Sequence, residues 1–282
     1  MNAWGYRGPA VGRKQIGEKR VAVLGGSTTW GFGLPAGQDF PAELERLLAD
    51  DQTEKIKVLN LGFNDDGAYS FTQTLDDYDY LEADLIIFYS GYNDLNGTNN
   101  YYNFRHRSPL FGRTGYLPLL PALTVDKMTV WWLQATGQDT RVVFTPPHLD
   151  NRNNSSTLRP QLMPAEPNAA AGERFVSSSC SPKWQFYCER IVSVTQLALT
   201  KGKRVIIAGE PYLTDDHVEQ QSELETLIAS RFAGDSHVRY VNLGRVVDLR
   251  EPSLCWDGMH LTEEGNRRIA TALRGPTLEM LH

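Results

Sequence analysis

Five short runs constrain the fold of this chain more than any other feature: RVAVLG (20–25), KIKVLNLG (55–62), DLIIFYS (84–90), KRVIIAG (203–209) and VRYVNLG (238–244). Each is nearly continuous in apolar and β-branched residues rather than alternating, which is the pattern of a parallel strand covered on both faces. Amphipathic helical patterns stand between and after them. DFPAELERLLAD (39–50) opens with Asp39 placed to cap and Pro41 in the first turn, and it spaces Phe40, Leu44, Leu47 and Leu48 on one face. KWQFYCERIVSVTQLAL (183–199), VEQQSELETLIASRF (218–232) and LTEEGNRRIATAL (261–273) behave alike. Strand–helix alternation of this kind predicts a doubly wound α/β sheet.

One interval breaks the rhythm. Between Asp94 and the fourth run lie about 110 residues, far more than a strand-to-helix connection uses. The interval opens with Tyr101, Tyr102 and Phe104, passes through Trp131 and Trp132, and reaches the polar LDNRNNSSTLRP. The expectation is one domain over residues 1–282, with 95–183 an insertion covering the carboxyl ends of the strands. Such a segment serves either as a packed cover or as a lid that shapes the substrate site.

Composition narrows the function classes. Hydrophobic residues at 41% and charged residues at 22% of 282 allow a sizeable core. A formal charge of −6 argues against nucleic acid as a partner, which would need a basic stripe. No segment reaches the roughly 18–20 apolar residues of a membrane span. The most apolar stretch, GYLPLLPALTVDKMTVWWL (115–133), carries two prolines, Asp126 and Lys127. The amino terminus, MNAWGYRGPAVGRKQ, has no apolar signal region, so the expectation is a soluble chain, cytoplasmic or exported after loss of a leading segment. Of three cysteines, Cys180 and Cys188 are close enough in sequence to pair, leaving Cys255; three reduced thiols are the other reading. No zinc-like spacing of Cys or His occurs, and no metal or cofactor is expected.

The chemistry is concentrated in VAVLGGSTTWGFG (21–33), where an apolar run stops at small and hydroxylated residues. A phosphate loop fails: Gly26 and Gly31 have the right separation, but Phe32 stands where the lysine must be. A dinucleotide fingerprint also fails. Gly31 and Gly33 lack a third glycine, and the second run ends in Asn60 rather than an acid. What remains is a turn that presents Ser27. A serine hydroxyl needs a base to take its proton, usually a histidine oriented by a carboxylate. CWDGMHLTEEG supplies Asp257 and His260 in one turn after the fifth run. NLGFNDDGAYS after the second run supplies Gly67, and SGYNDL after the third supplies Asn93, a backbone N–H and a side-chain amide suited to an oxyanion. All four loops follow strands, so a doubly wound sheet brings them to one edge.

On these residues the chain resembles the SGNH (GDSL-type) hydrolase family, whose four blocks carry a serine, a glycine, an asparagine and an Asp-x-x-His loop. Ser27 in LGGSTTWG, Gly67, Asn93 in GYND, and Asp257 with His260 in DGMH match them in order, over roughly 20–95 and 200–275. The resemblance implies a three-layer αβα, flavodoxin-like fold with a parallel sheet of about five strands. It implies Ser27 as nucleophile, His260 as general base and Asp257 as its orienting group. Ser27 N–H, Gly67 N–H and the Asn93 amide would form the oxyanion hole. Gly26 and Thr28 depart from the Gly-Asp-Ser-Leu signature, where an aspartate and a leucine stand; changed packing is expected there rather than lost activity.

The implied activity is a serine esterase that cleaves a short acyl group from a small-molecule or carbohydrate ester. The same groups could run O-acyl transfer to a carbohydrate, and the fold could also serve as a silent binding module. An apolar groove from Trp131, Trp132 and 117–123 would favour lipid esters, whereas Tyr101, Tyr102 and Asn103 would favour sugars. NGT (96–98) and NSS (154–156) fit glycosylation sequons.

Overall fold

The computed structural model of the protein describes residues 1–49, 55–95 and 179–282, with Met128, Trp131, Trp132, Ala135 and Thr136 between them. Chain contacts divide it into two compact units, 1–99 with 152–282, and 100–151. Of the second unit, Trp131 and Trp132 lie on a helical stretch and are exposed. The other aromatic, leucine-rich and sequon positions noted between 96 and 178 lie outside the described residues.

In the first unit all five apolar runs are strands: β1 (Glu18–Gly25), β2 (Lys55–Asn60), β3 (Leu85–Ser90), β4 (Arg204–Gly209) and β5 (Val238–Asn242). They form one sheet in the order β2-β1-β3-β4-β5, and every pairing is parallel. This is the doubly wound, flavodoxin-like order, with its reversal between β1 and β3. Successive residues face opposite layers. Val21, Val23, Leu85, Ile87 and Ile206 enter one core with helices α2 (Phe40–Ala49) and α6 (Glu263–Leu281). Ala22, Leu24, Ile86, Phe88, Val205 and Ile207 enter the other, with α3 (Phe71–Asp77), α4 (Gln185–Thr200) and α5 (Asp215–Arg231). The result is three layers, αβα. Phe40, Leu44 and Leu48 are fully buried on α2, and each such side chain contributes about 1.5–3 kcal/mol on leaving water.

Local signals act where expected. The Asp39 carboxylate accepts from the Ala42 N–H at 3.2 Å, capping α2. Thr262 caps α6 by accepting from Gly265 N–H. α6 nevertheless runs eight residues beyond the pattern ending at 273, straight through Pro276. Tertiary packing overrides the local breaker, because Thr277, Met280 and Leu281 are buried and the Met280 carbonyl accepts from the Arg204 guanidinium at 2.6 Å. Cys180 and Cys188 form a disulfide at the start of α4, and Cys255 is a buried free thiol. Among the described residues, no helix is long and apolar enough to cross a membrane.

Candidate active site

β1 ends at Gly25, and the chain turns at once into the one-turn helix α1 (Ser27–Trp30). The Ser27 carbonyl accepts from both Gly31 and Phe32 N–H at 3.0 Å, which holds the turn closed. The Ser27 hydroxyl stands 2.8 Å from His260 Nε2, across 233 residues of sequence. His260 Nδ1 lies 2.6 Å from Asp257 Oδ2. The other carboxylate oxygen of Asp257 accepts from the backbone N–H groups of Met259 (2.9 Å) and His260 (2.7 Å). The Asp-x-x-His turn thus fixes its own carboxylate and leaves Nε2 directed at the serine. Burial pushes the Asp257 carboxyl up, but the His260 hydrogen bond and charge and the two backbone donors outweigh it, and its pKa is lowered overall. It is ionised at neutral pH and able to hold the ring in one tautomer.

The other two predicted groups arrive beside Ser27. Asn93 sits in the 3₁₀ turn Tyr92–Asp94 that ends β3, and its Nδ2 donates to the Asp66 carbonyl at 2.8 Å. Asp66 precedes Gly67, so the second and third loops are joined there. A Cβ on Gly26 would run into the Asn93 amide and stand 2.9 Å from Asp66 O. The glycine before Ser27 is therefore demanded by close approach, which accounts for one departure from the Gly-Asp-Ser-Leu signature. Gly67 packs its Cα against the Asp94 carboxylate, and that carboxylate accepts from Ala68 N–H at 3.1 Å on both oxygens. Ser27, Gly67, Asn93, Asp257 and His260 all belong to loops at the carboxyl ends of β1, β2, β3 and β5.

Three features of the site were not anticipated. His260 is clad by aromatic rings, with Phe32 at 4.8 Å and Trp256 at 5.7 Å between centroids, and its side chain is 14% exposed. Arg7, from the amino-terminal segment, makes a buried ion pair with Asp39 at 3.0 Å and lies 5.1 Å over the Trp30 ring. Glu210, the residue after β4, accepts from the Thr28 hydroxyl at 2.5 Å and from Tyr92 N–H at 2.8 Å. Burial pushes its carboxyl up to about 7, against those two donors. Burial, partly offset by the Ala68 N–H and reinforced by repulsion from Glu210 and Asp66, also raises Asp94 to about 7. An available signal existed: a carboxylate ends an apolar run in KRVIIAGEP, at the same sheet edge as the other loops. Among the described residues, no cluster of three or more His, Cys, Asp or Glu side chains could hold a metal ion.

No family model matches the sequence, and no curated protein matches it closely enough to be counted. Solved structures do match in three dimensions. TesA is 13% identical with a TM-score of 0.51, over 94% of this chain and 100% of that one. A family 3 carbohydrate esterase from Clostridium thermocellum is 14% identical with a TM-score of 0.51, over 94% and 97%. A catalytic mutant of Axe2, an acetylxylan esterase from Geobacillus stearothermophilus, is 12% identical with a TM-score of 0.51, over 91% and 93%. The chain has the fold of these esterases, and it gathers at the ends of its strands the serine, glycine, asparagine and Asp-x-x-His groups by which it resembles the SGNH hydrolases.

Proposed function

We propose that this protein is a serine ester hydrolase. The observation that carries the reading is the continuous line Ser27 Oγ, His260 Nε2, His260 Nδ1, Asp257 Oδ2, with contacts of 2.8 and 2.6 Å. Ser27 Oγ attacks the ester carbonyl carbon while its proton passes to His260 Nε2. Asp257 stabilises the imidazolium that forms. The tetrahedral oxygen is held by Ser27 N–H, Gly67 N–H and the Asn93 amide. Collapse breaks the bond to the alcohol oxygen, which takes the proton from His260 and leaves an acyl group on Ser27. Water then gives a proton to the same nitrogen and attacks the acyl carbonyl; the bond from the acyl carbon to Ser27 Oγ breaks, that oxygen takes the proton back from His260, and the acid leaves. A short acyl group on a polar carrier suits the aromatic walls around His260 and agrees with the carbohydrate esterases among the structural neighbours.

The test is turnover of p-nitrophenyl esters of increasing acyl length beside a panel of acetylated oligosaccharides. Ser27→Ala and His260→Ala should each reduce kcat by about 10³-fold or more with the fold intact. Undiminished turnover by folded Ser27→Ala would remove the serine from the mechanism.

A further inference from the structure

The three central strands end on three loops that meet behind the serine. β1 leads to Ser27 and Thr28, β3 to Tyr92 and Asn93, and β4 to Glu210. The Glu210 carboxylate divides its oxygens between the first two loops. Oε1 accepts from Thr28 Oγ1 at 2.5 Å, next in sequence to Ser27, and Oε2 accepts from Tyr92 N–H at 2.8 Å, next to Asn93. Glu210 is 3% exposed, so it reaches neither solvent nor a substrate carbonyl. A carboxyl group buried to that degree costs more than an apolar side chain of similar volume. What it adds is direction: two hydrogen bonds fix two loops from a rigid strand end. The spacing they set is narrow, because the Asn93 amide packs against the Cα of Gly26 with no room for a Cβ.

We propose that Glu210 is a positioning residue that sets the Asn93 loop against the Ser27 loop, so that oxyanion donor and nucleophile are held in register. The inference rests on the ester-hydrolase reading. It also gives Thr28 a purpose where the Gly-Asp-Ser-Leu signature carries leucine: the hydroxyl and the buried carboxylate work as a pair. Glu210 acts through Thr28 and Tyr92, and it gives up no proton to the substrate. A shift of an ångström between reacting groups costs on the order of 10²-fold in rate, which bounds what loosening this clamp can do.

The experiment compares Glu210→Ala, Glu210→Gln and Thr28→Val, using steady-state hydrolysis of p-nitrophenyl acetate and the rate at which a fluorophosphonate labels Ser27. Glu210→Gln keeps both contacts, since its carbonyl can accept from Tyr92 N–H and its amide can donate to the Thr28 oxygen. Thr28→Val removes one contact at nearly constant volume, and it serves if the alanine variant does not fold. Glu210→Ala and Thr28→Val should lower kcat and the labelling rate together by about 10- to 100-fold, with KM within about 3-fold. Glu210→Gln should return to within about 3-fold of wild type. A folded Thr28→Val or Glu210→Ala with wild-type kcat and labelling overturns the role of Glu210, as does a Glu210→Gln as slow as the alanine variant. Wild-type protein that takes up no fluorophosphonate at Ser27 overturns the ester-hydrolase reading itself, and this inference with it.

Discussion

At the scale of single residues, the site depends on which oxygen of Asp257 does what. Oδ1 is occupied by the Met259 and His260 backbone donors, and Oδ2 faces the imidazole. Asp257→Asn can keep the first pair of contacts with its carbonyl oxygen. Its amide nitrogen then faces Nδ1 as a donor, which forces the ring proton onto Nε2, where it blocks proton transfer from Ser27. The expected outcome is a fall in kcat of about 10³- to 10⁴-fold at neutral pH with unfolding behaviour little changed, checked by ester turnover and circular dichroism. An Asn variant with near-wild-type kcat would dismiss the orienting role. The lowered Asp257 pKa has a linked consequence for stability. A carboxyl depressed on folding stabilises the native state above its unfolded pKa, and that contribution disappears as pH falls through the folded value.

At the scale of elements, the amino-terminal segment belongs to the architecture of the site. Arg7 N–H donates to the Asn60 carbonyl at the end of β2, and its guanidinium donates to the Leu34 and Pro35 carbonyls at 2.7 and 2.9 Å and to Asp39. Asp39 in turn accepts from Asn60 Nδ2, which also donates to the Thr29 carbonyl at 2.8 Å. One arginine therefore ties the segment to the α2 cap, to β2 and to the turn that carries Ser27. Arg7→Ala strips a buried carboxylate of its counter-charge, and such breaks cost about 3–5 kcal/mol. Urea unfolding should register a loss of that size, whereas Lys57→Ala, at a half-exposed pair with Glu45, should change stability by about 1 kcal/mol or less. Equal, small effects of the two substitutions would show that the segment contributes no more than surface charge.

At the scale of the whole molecule, two buried carboxyls near the sheet edge make stability depend on pH. Glu210 and Asp94 are each raised to about 7, first by burial, and the charge of Glu210 adds to the rise at Asp94. Their unfolded values lie near 4, so the folded state binds protons more tightly. The stabilisation is complete below about pH 4 and is lost as pH rises through about 7. Wild type should therefore lose ground to Glu210→Gln between about pH 5 and 8, by about 2 kcal/mol. Chemical denaturation at the two pH values measures the difference, and a gap independent of pH would contradict the assignment.

How much of this was legible follows from the range of the forces involved. Buried parallel strands demand continuous apolar residues, so all five announced themselves locally, as did the Asp39 cap, the Ser27 turn and the Asp257–His260 pair. Gly67 and Asn93 were legible only by their place after strands. The contacts of Glu210 with Thr28, Arg7 with Asp39 and Phe32 with His260 could not be read locally, because each joins segments far apart in sequence that share no common pattern. Residue order by itself determined the alternation of elements and which candidate side chains follow each strand, since periodicity and turn chemistry act over a few neighbours. Only the tertiary structure decided the clamp behind Ser27, the disulfide at α4 and the helix that continues through Pro276. Those outcomes depend on packing and hydrogen bonding that exist only once the sheet has drawn its strand ends together.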